Sequence, residues 1–143
     1  NRPASAKSAR NVERQLIRKI GLDPARYKLA DGSGLSLYNY LSAELEVKLL
    51  RYAYRDENMY QQLKQSLPIA GVDGTLKKRM KTGYAHGNVK AKTGTLTGII
   101  SLAGYCKAAN GHELCFSIIN NGIMHGNNAR NFADKVCELL CKP

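Results

Sequence analysis

Two Lys-Thr-Gly triplets are the residues of this sequence whose types and spacing best suit chemistry. Lys92-Thr93-Gly94 continues an extended stretch and enters Thr95 and a further strand-like segment. A cation and a hydroxyl on an edge strand can bind a carboxylate. The glycine lets a ligand approach the backbone, and the Thr95 N–H can face a developing oxyanion. Lys81-Thr82-Gly83 instead runs into the glycine-broken segment 84–87, which predicts a loop. The later triplet is therefore the candidate site.

Three segments rich in Val, Ile, Tyr and Phe predict the strands that position this site. They are residues 88–95, 98–106 and 113–120. The last two carry apolar residues on both faces, so helices are expected on both sides of the sheet. Apolar spacing predicts these helices over residues 5–20, 43–55, 57–65, 74–80 and 128–141, with N-caps at Ser42, Asp73 and either Asn127 or Asn128. The predicted fold class is α/β of the α+β type, with helices against an antiparallel sheet of about three strands.

The Asn110-Gly111 dipeptide is a strong hairpin signal and predicts a two-residue turn between the last two strands. In that register Cys106 lies directly opposite Cys115, with Cα atoms ~4.5 Å apart. Two alternatives stay open for this pair: a strained cross-strand disulfide or two packed thiols. Cys137 and Cys141 are four residues apart on one helix face, which predicts buried thiols.

Charge is the main compositional deviation of the 143-residue chain. Its 22 Lys and Arg against 11 Asp and Glu give a formal net charge of +11, which favours an anionic partner. The basic residues are spread along the chain without an RNP-type aromatic motif or zinc-finger spacing, so no nucleic-acid partner is expected. The histidines His86, His112 and His125 lack ligand spacing, so neither a metal nor a cofactor is expected.

Four motifs occur in a fixed order along the chain. They are DGSGLSLYN at 31–39, LPIAGVDGTL at 67–76, KAKTGTLTG at 90–98 and SLAGY at 101–105. Together they resemble the C-terminal part of the D-alanyl-D-alanine carboxypeptidase/endopeptidase branch of the low-molecular-mass, class C penicillin-binding proteins. The resemblance covers nearly all of the chain. It implies a β-lactamase/transpeptidase-like fold and a serine acyl-enzyme mechanism with the elements S-x-x-K, S-x-N and K-T-G.

Only the third of these elements is present. No serine of the sequence has Lys three positions later or Asn two positions later, and the chain begins at Asn1. We therefore expect residues 1–143 to be the C-terminal portion of a transpeptidase-like domain, whose nucleophile and base lie upstream. The resemblance implies a periplasmic or cell-envelope location, with the targeting signal outside this sequence.

The resemblance also implies roles for individual residues. Lys92 and Thr93 would bind the terminal carboxylate of a peptidoglycan stem peptide or of a β-lactam. Gly94 would keep the strand clear of the ligand, and the Thr95 N–H would form half of the oxyanion hole. A loop near the site would be shaped by the following residues: Asp31, Ser33 and Gly34.

The sequence is also compatible with a function other than that of a carboxypeptidase. A non-catalytic basic module that binds peptidoglycan or another acidic polymer is the alternative. In either case the outer edge of strand 113–120 would be bare, which favours self-association.

Overall fold

The computed structural model describes residues 5–143. Its helices are α1 (Ala6–Lys19), α2 (Ala43–Tyr54), α3 (Glu57–Ser66) and α4 (Gly126–Cys141). Its strands are β1 (Lys90–Leu96), β2 (Ile99–Lys107) and β3 (Glu113–Asn121), which form one antiparallel sheet in the order β1-β2-β3. The predicted α+β fold with a three-stranded antiparallel sheet is confirmed. None of the described helices is long and apolar enough to cross a membrane.

Helices cover both faces of the sheet, as the two-sided apolar pattern predicts. On one face α4 packs against β2, and the shared core contains Leu102, Cys106, Phe116, Ala133, Cys137 and Cys141. On the other face α2 and α3 pack against Tyr105 through Leu50 and Tyr60. The Tyr105 hydroxyl is buried there and donates a hydrogen bond of 2.7 Å to the Leu50 carbonyl oxygen. The site strand β1 is thus held by a sheet packed on both sides.

The starts of α2 and α4 test two of the N-caps that the sequence predicts. The predicted Ser42 cap of α2 is confirmed, because its side chain accepts a hydrogen bond from the Leu45 N–H. The predicted asparagine cap of α4 is wrong, since the helix begins at Gly126 after His125, which makes no side-chain cap. Asn127 lies inside the first turn and accepts instead from the Arg130 guanidinium, at 3.2 Å.

The predicted helix over 74–80 is wrong and is only a 3₁₀ turn, Gly74–Leu76. Asp73 does not cap it, because its carboxylate accepts a hydrogen bond of 2.6 Å from the Ile69 N–H behind it. The backbone then takes a positive φ of 48° at Met80, which a right-handed helix does not contain.

The predicted register of the β2–β3 hairpin is wrong by one residue. The Ala108 N–H donates to the His112 carbonyl, and Gly111 takes a φ of +84°. The turn is therefore a three-residue loop with a left-handed glycine rather than a two-residue turn. Cys115 faces Tyr105, while Cys106 faces Leu114. Since one residue of shift reverses every side chain, the two cysteines lie on opposite faces of the sheet. All four cysteines are free thiols.

Candidate functional site

The triplet Lys92-Thr93-Gly94 lies on β1, at one edge of the sheet. The segment before it is tied to a neighbouring stretch, because the Ala91 N–H donates to the Pro68 carbonyl oxygen at 3.0 Å. A single bridge joins Ile69 and Lys90. Within residues 5–143, no further strand pairs with the outer edge of β1 beyond this bridge. The triplet therefore lies on a part of β1 whose outer edge has no strand partner among the described residues.

The side chains of the triplet make few contacts with the rest of the chain. The Lys92 ammonium is exposed and donates a hydrogen bond of 2.7 Å to the carbonyl oxygen of the adjacent Thr93. The Thr93 hydroxyl lies 3.1 Å from the Thr75 hydroxyl. Because successive strand residues point to opposite faces, Thr93 and not Lys92 points towards Thr75. Thr95 is exposed.

A groove of about 210 Å³ lies beside β1. It is lined by four hydroxyl side chains, two guanidinium groups and two further residues: Thr75, Thr93, Thr95, Ser101, Arg79, Arg130, Gly94 and Ile100. Lys92 is not among these residues, so the structure brings Thr93, Gly94 and Thr95 together in the groove and leaves Lys92 outside it.

Of the two arginines in the groove, only Arg79 is paired with a carboxylate of the described residues. Arg79 forms an ion pair with Asp134 of α4, through Nη2 to Oδ1 at 2.6 Å and Nε to Oδ1 at 3.0 Å. Arg130 reaches only the Asn127 amide oxygen, and within the described part of the chain it has no carboxylate partner. Arg130 therefore gives the groove a cation that is available to an anion.

Four polar residues of the groove are not among the site residues that the sequence predicts: Thr75, Arg79, Ser101 and Arg130. Thr75 lies within the motif at 67–76, so its sequence context contained a signal. Arg130 carries no such signal, because only the packing of α4 against β2 brings it to the groove.

The loop of Asp31, Ser33 and Gly34 is organised by its own hydrogen bonds. The Asp31 carboxylate accepts from the Asn39 amide at 2.9 Å, from the Ser33 hydroxyl at 2.9 Å and from the Gly34 N–H at 3.1 Å. The bonds from Asn39 and Ser33 are the main reason why the pKa of Asp31 is lowered. None of these residues lines the groove. Their predicted role near the site stays a prediction.

The other triplet, Lys81-Thr82-Gly83, lies in a loop, as predicted. The next residues anchor this loop on α4, since the N–H groups of Tyr84 and Ala85 donate to the Glu138 carboxylate at 2.7 and 2.9 Å. These two bonds lower the pKa of Glu138. The contacts indicate a structural turn rather than a second anion site.

The family model described as D-Ala-D-Ala carboxypeptidase 3 (S13) matches residues 1–142. The chain belongs to this family. A D-alanyl-D-alanine carboxypeptidase from an Actinomadura species is 45% identical over 108 residues, which are 72% of this chain and 20% of that enzyme. The resemblance that the four motifs indicate is thus confirmed.

Solved structures similar to this S13-family chain agree with its fold. Penicillin-binding protein 4 from Haemophilus influenzae matches 96% of the chain and 33% of its own, with a TM-score of 0.81 and 31% identity. The same protein has been solved in complex with a β-lactam. An extended-spectrum β-lactamase has a TM-score of 0.63 at 18% identity, a likeness of fold alone. The chain spans 20% of the Actinomadura enzyme and 33% of the Haemophilus penicillin-binding protein.

Proposed function

We propose that the whole protein is a serine-type D-Ala-D-Ala carboxypeptidase that acts on peptidoglycan stem peptides in the periplasm or cell envelope. Membership of the S13 family supports this, as does the named activity of the Actinomadura relative. In this proposal, residues 1–143 supply the strand that binds the substrate carboxylate. The observation that carries it is the position of Lys92-Thr93-Gly94-Thr95 on an open sheet edge beside a groove rich in hydroxyls.

The open edge of β1 would receive the substrate as an added strand. An extended peptide can pair its backbone with such an edge, and the side chains beside the edge then give selectivity. The terminal carboxylate would accept hydrogen bonds from the Thr93 hydroxyl and from the Lys92 ammonium. The Lys92 ammonium, which lies outside the groove in the present structure, would first give up its bond to the Thr93 carbonyl oxygen, because a carboxylate carries a full negative charge and the carbonyl is only a neutral dipole.

Catalysis would then need groups that this sequence does not contain. The Thr95 N–H would stabilise the oxyanion of the tetrahedral intermediate. No serine of the sequence has the S-x-x-K or S-x-N pattern, so the nucleophile and its base would come from the rest of the protein. β-Lactams would acylate the same serine, with their carboxylate on β1.

The decisive experiment compares the two triplets in the full-length protein. Lys92→Ala removes a charge-assisted hydrogen bond worth about 1.5–3 kcal/mol, which corresponds to a loss of roughly 10- to 150-fold in the second-order rate of β-lactam acylation. Lys81→Ala is the matched control, since it removes the same side chain from the loop triplet. Stopped-flow acylation rates check this, and equal losses for the two variants would contradict the assignment of the site.

The basic charge of the chain supports a second candidate, a non-catalytic module that binds peptidoglycan or another acidic polymer. Intact-mass spectrometry of the full-length protein after exposure to a β-lactam separates the two. A stoichiometric covalent adduct supports the enzyme, whereas reversible, salt-sensitive binding to cell-wall polymer without an adduct supports the module. The 143-residue chain by itself is expected to form no adduct, and an adduct on one of its own serines would contradict the proposed division of roles.

A further inference from the structure

The side chains of Thr93 and Thr95 lie on the face of the sheet that α4 covers. Alternate residues of a strand point to the same face, so both threonines share a face with Ala91. Ala91 is fully buried in one cluster with Ala133 of α4. A carboxylate that accepts hydrogen bonds from the two threonine hydroxyls would therefore lie on this face and would meet the cations of this face.

Lys92 and Arg130 lie on opposite faces of the sheet. Lys92 pairs with Ala103 across the strands, and the side chains of directly paired residues point to the same face. Ala103 packs against the cluster of Tyr105, between the sheet and helices α2 and α3. Arg130 belongs to α4 and lines the groove together with the two threonines. Arg130 is therefore a cation on the side of β1 where the threonine hydroxyls would bind a carboxylate.

The guanidinium of Arg130 reaches β2 beside Ile100, the residue that pairs directly with Thr95. A β-carbon built on Gly126, one helical turn before Arg130, would lie 3.0 Å from the Nη1 atom of Arg130 and 3.6 Å from the Cδ1 atom of Ile100. The guanidinium and the end of the Ile100 side chain therefore flank the same carbon-sized position. The lack of a side chain at Gly126 leaves the space that this arrangement needs.

The half-buried guanidinium of Arg130 has no carboxylate partner within residues 5–143. Its Nη1 atom donates to the neutral amide oxygen of Asn127 at 3.2 Å. Asp134 lies four residues after Arg130, a spacing at which side chains meet on a helix. The carboxylate of Asp134 is bound by Arg79 instead, at 2.6 and 3.0 Å. A guanidinium has five N–H donors, so Arg130 keeps donors for an anion with two oxygen atoms.

We propose that Arg130 is a specificity-determining residue that binds the terminal carboxylate of the stem peptide or β-lactam, beside the hydroxyls of Thr93 and Thr95. This inference rests on the proposed function, because it adds a residue to the same site. The guanidinium offers two parallel N–H donors to the two carboxylate oxygens, which an ammonium group does not. Since the cation lines the groove before a ligand arrives, the enzyme selects acyl donors that carry a free carboxylate over neutral esters or amides.

Acylation of the full-length protein by two matched β-lactams tests the proposal. Benzylpenicillin has a free carboxylate, and its methyl ester has a neutral group at the same position. The ratio of their second-order acylation rates, from rapid-quench mass spectrometry, measures the selectivity for the charge. Arg130→Gln should lower this ratio roughly 10-fold, because it slows the reaction of benzylpenicillin alone. Lys135→Gln is the matched control, since it removes an exposed cation of the same helix outside the groove and should leave the ratio unchanged.

The ratio separates carboxylate binding from a structural role of Arg130. Arg130→Lys retains the charge without the paired donors, so its ratio should lie between those of wild type and Arg130→Gln. A wild-type ratio in either Arg130 variant would overturn the inference, even if both β-lactams react more slowly, as would an equal fall of the ratio in Lys135→Gln. In these cases acylation of the wild-type protein would still support the proposed function. A wild-type protein that forms no adduct with either β-lactam would contradict the proposed function and this inference together.

Discussion

Gly104 is the residue of β2 whose lack of a side chain holds the site strand in place. It pairs with Ala91 of β1. A β-carbon at Gly104 would collide with the Lys90 carbonyl oxygen and would lie 2.6 Å from the Ala91 Cα. Carbon atoms in contact prefer about 3.5–4.0 Å, so β1 would have to move by roughly 1 Å in Gly104→Ala. Both obstacles are backbone atoms, which cannot rotate aside.

The displacement should reduce both stability and activity. Forcing an extra carbon into a packed site costs about 1–3 kcal/mol, which lowers the urea midpoint of unfolding. Because β1 carries Lys92-Thr93-Gly94-Thr95, the same movement would displace the proposed carboxylate and oxyanion contacts. A misplacement of this size can cost roughly 100-fold in rate. Urea denaturation and β-lactam acylation of the full-length protein measure the two effects.

Two other glycines provide controls for this prediction. At Gly32 an added β-carbon meets nothing within 4 Å, so Gly32→Ala should change the unfolding free energy by less than about 0.5 kcal/mol. At Gly94 the obstacle is the Ser101 hydroxyl, the end of a side chain. Ser101→Ala should therefore restore the stability that Gly94→Ala loses, whereas no side-chain deletion should rescue Gly104→Ala. Wild-type stability and acylation in Gly104→Ala would refute the reasoning.

Three further predictions concern stability and assembly. Tyr105→Phe removes the buried hydrogen bond to the Leu50 carbonyl and should destabilise the protein by about 1 kcal/mol, as measured by urea denaturation. The hydrogen bonds from the Tyr84 and Ala85 N–H groups lower the pKa of Glu138 in the folded protein. The charged carboxylate therefore stabilises the folded protein above its ordinary pKa of 4.5, and this stabilisation is lost as the pH falls through the lowered pKa of the folded state. Glu138→Gln should therefore be less stable than wild type at pH 7, and the difference in melting temperature should shrink below about pH 4.5. Finally, within the described residues no strand covers the outer edge of β3, and we expect the 143-residue chain to self-associate there. A concentration-independent monomer in sedimentation velocity would contradict this.

The sequence by itself determined most of the helices and strands and the loop that contains the first triplet. Enrichment in Val, Ile, Tyr and Phe predicted β2 and β3, and the apolar residues on both of their faces predicted helices on both sides of the sheet. Ser42 predicted the start of α2. The glycine-broken context of Lys81-Thr82-Gly83 predicted its loop. These features depend on residues that are neighbours in the chain, where propensity, periodicity and capping act directly.

The tertiary structure decided which residues meet. The hairpin register depended on a left-handed Gly111 in a three-residue loop, which the Asn110-Gly111 dipeptide alone does not distinguish from a two-residue turn. That single residue of shift separated Cys106 from Cys115 and left Cys106 facing α4 instead. The burial of Cys106 in one cluster with Cys137 and Cys141, and the placement of Arg130 at the groove, both follow from how α4 packs on β2. Such contacts join residues tens of positions apart, and packing of the whole core selects them rather than any local pattern.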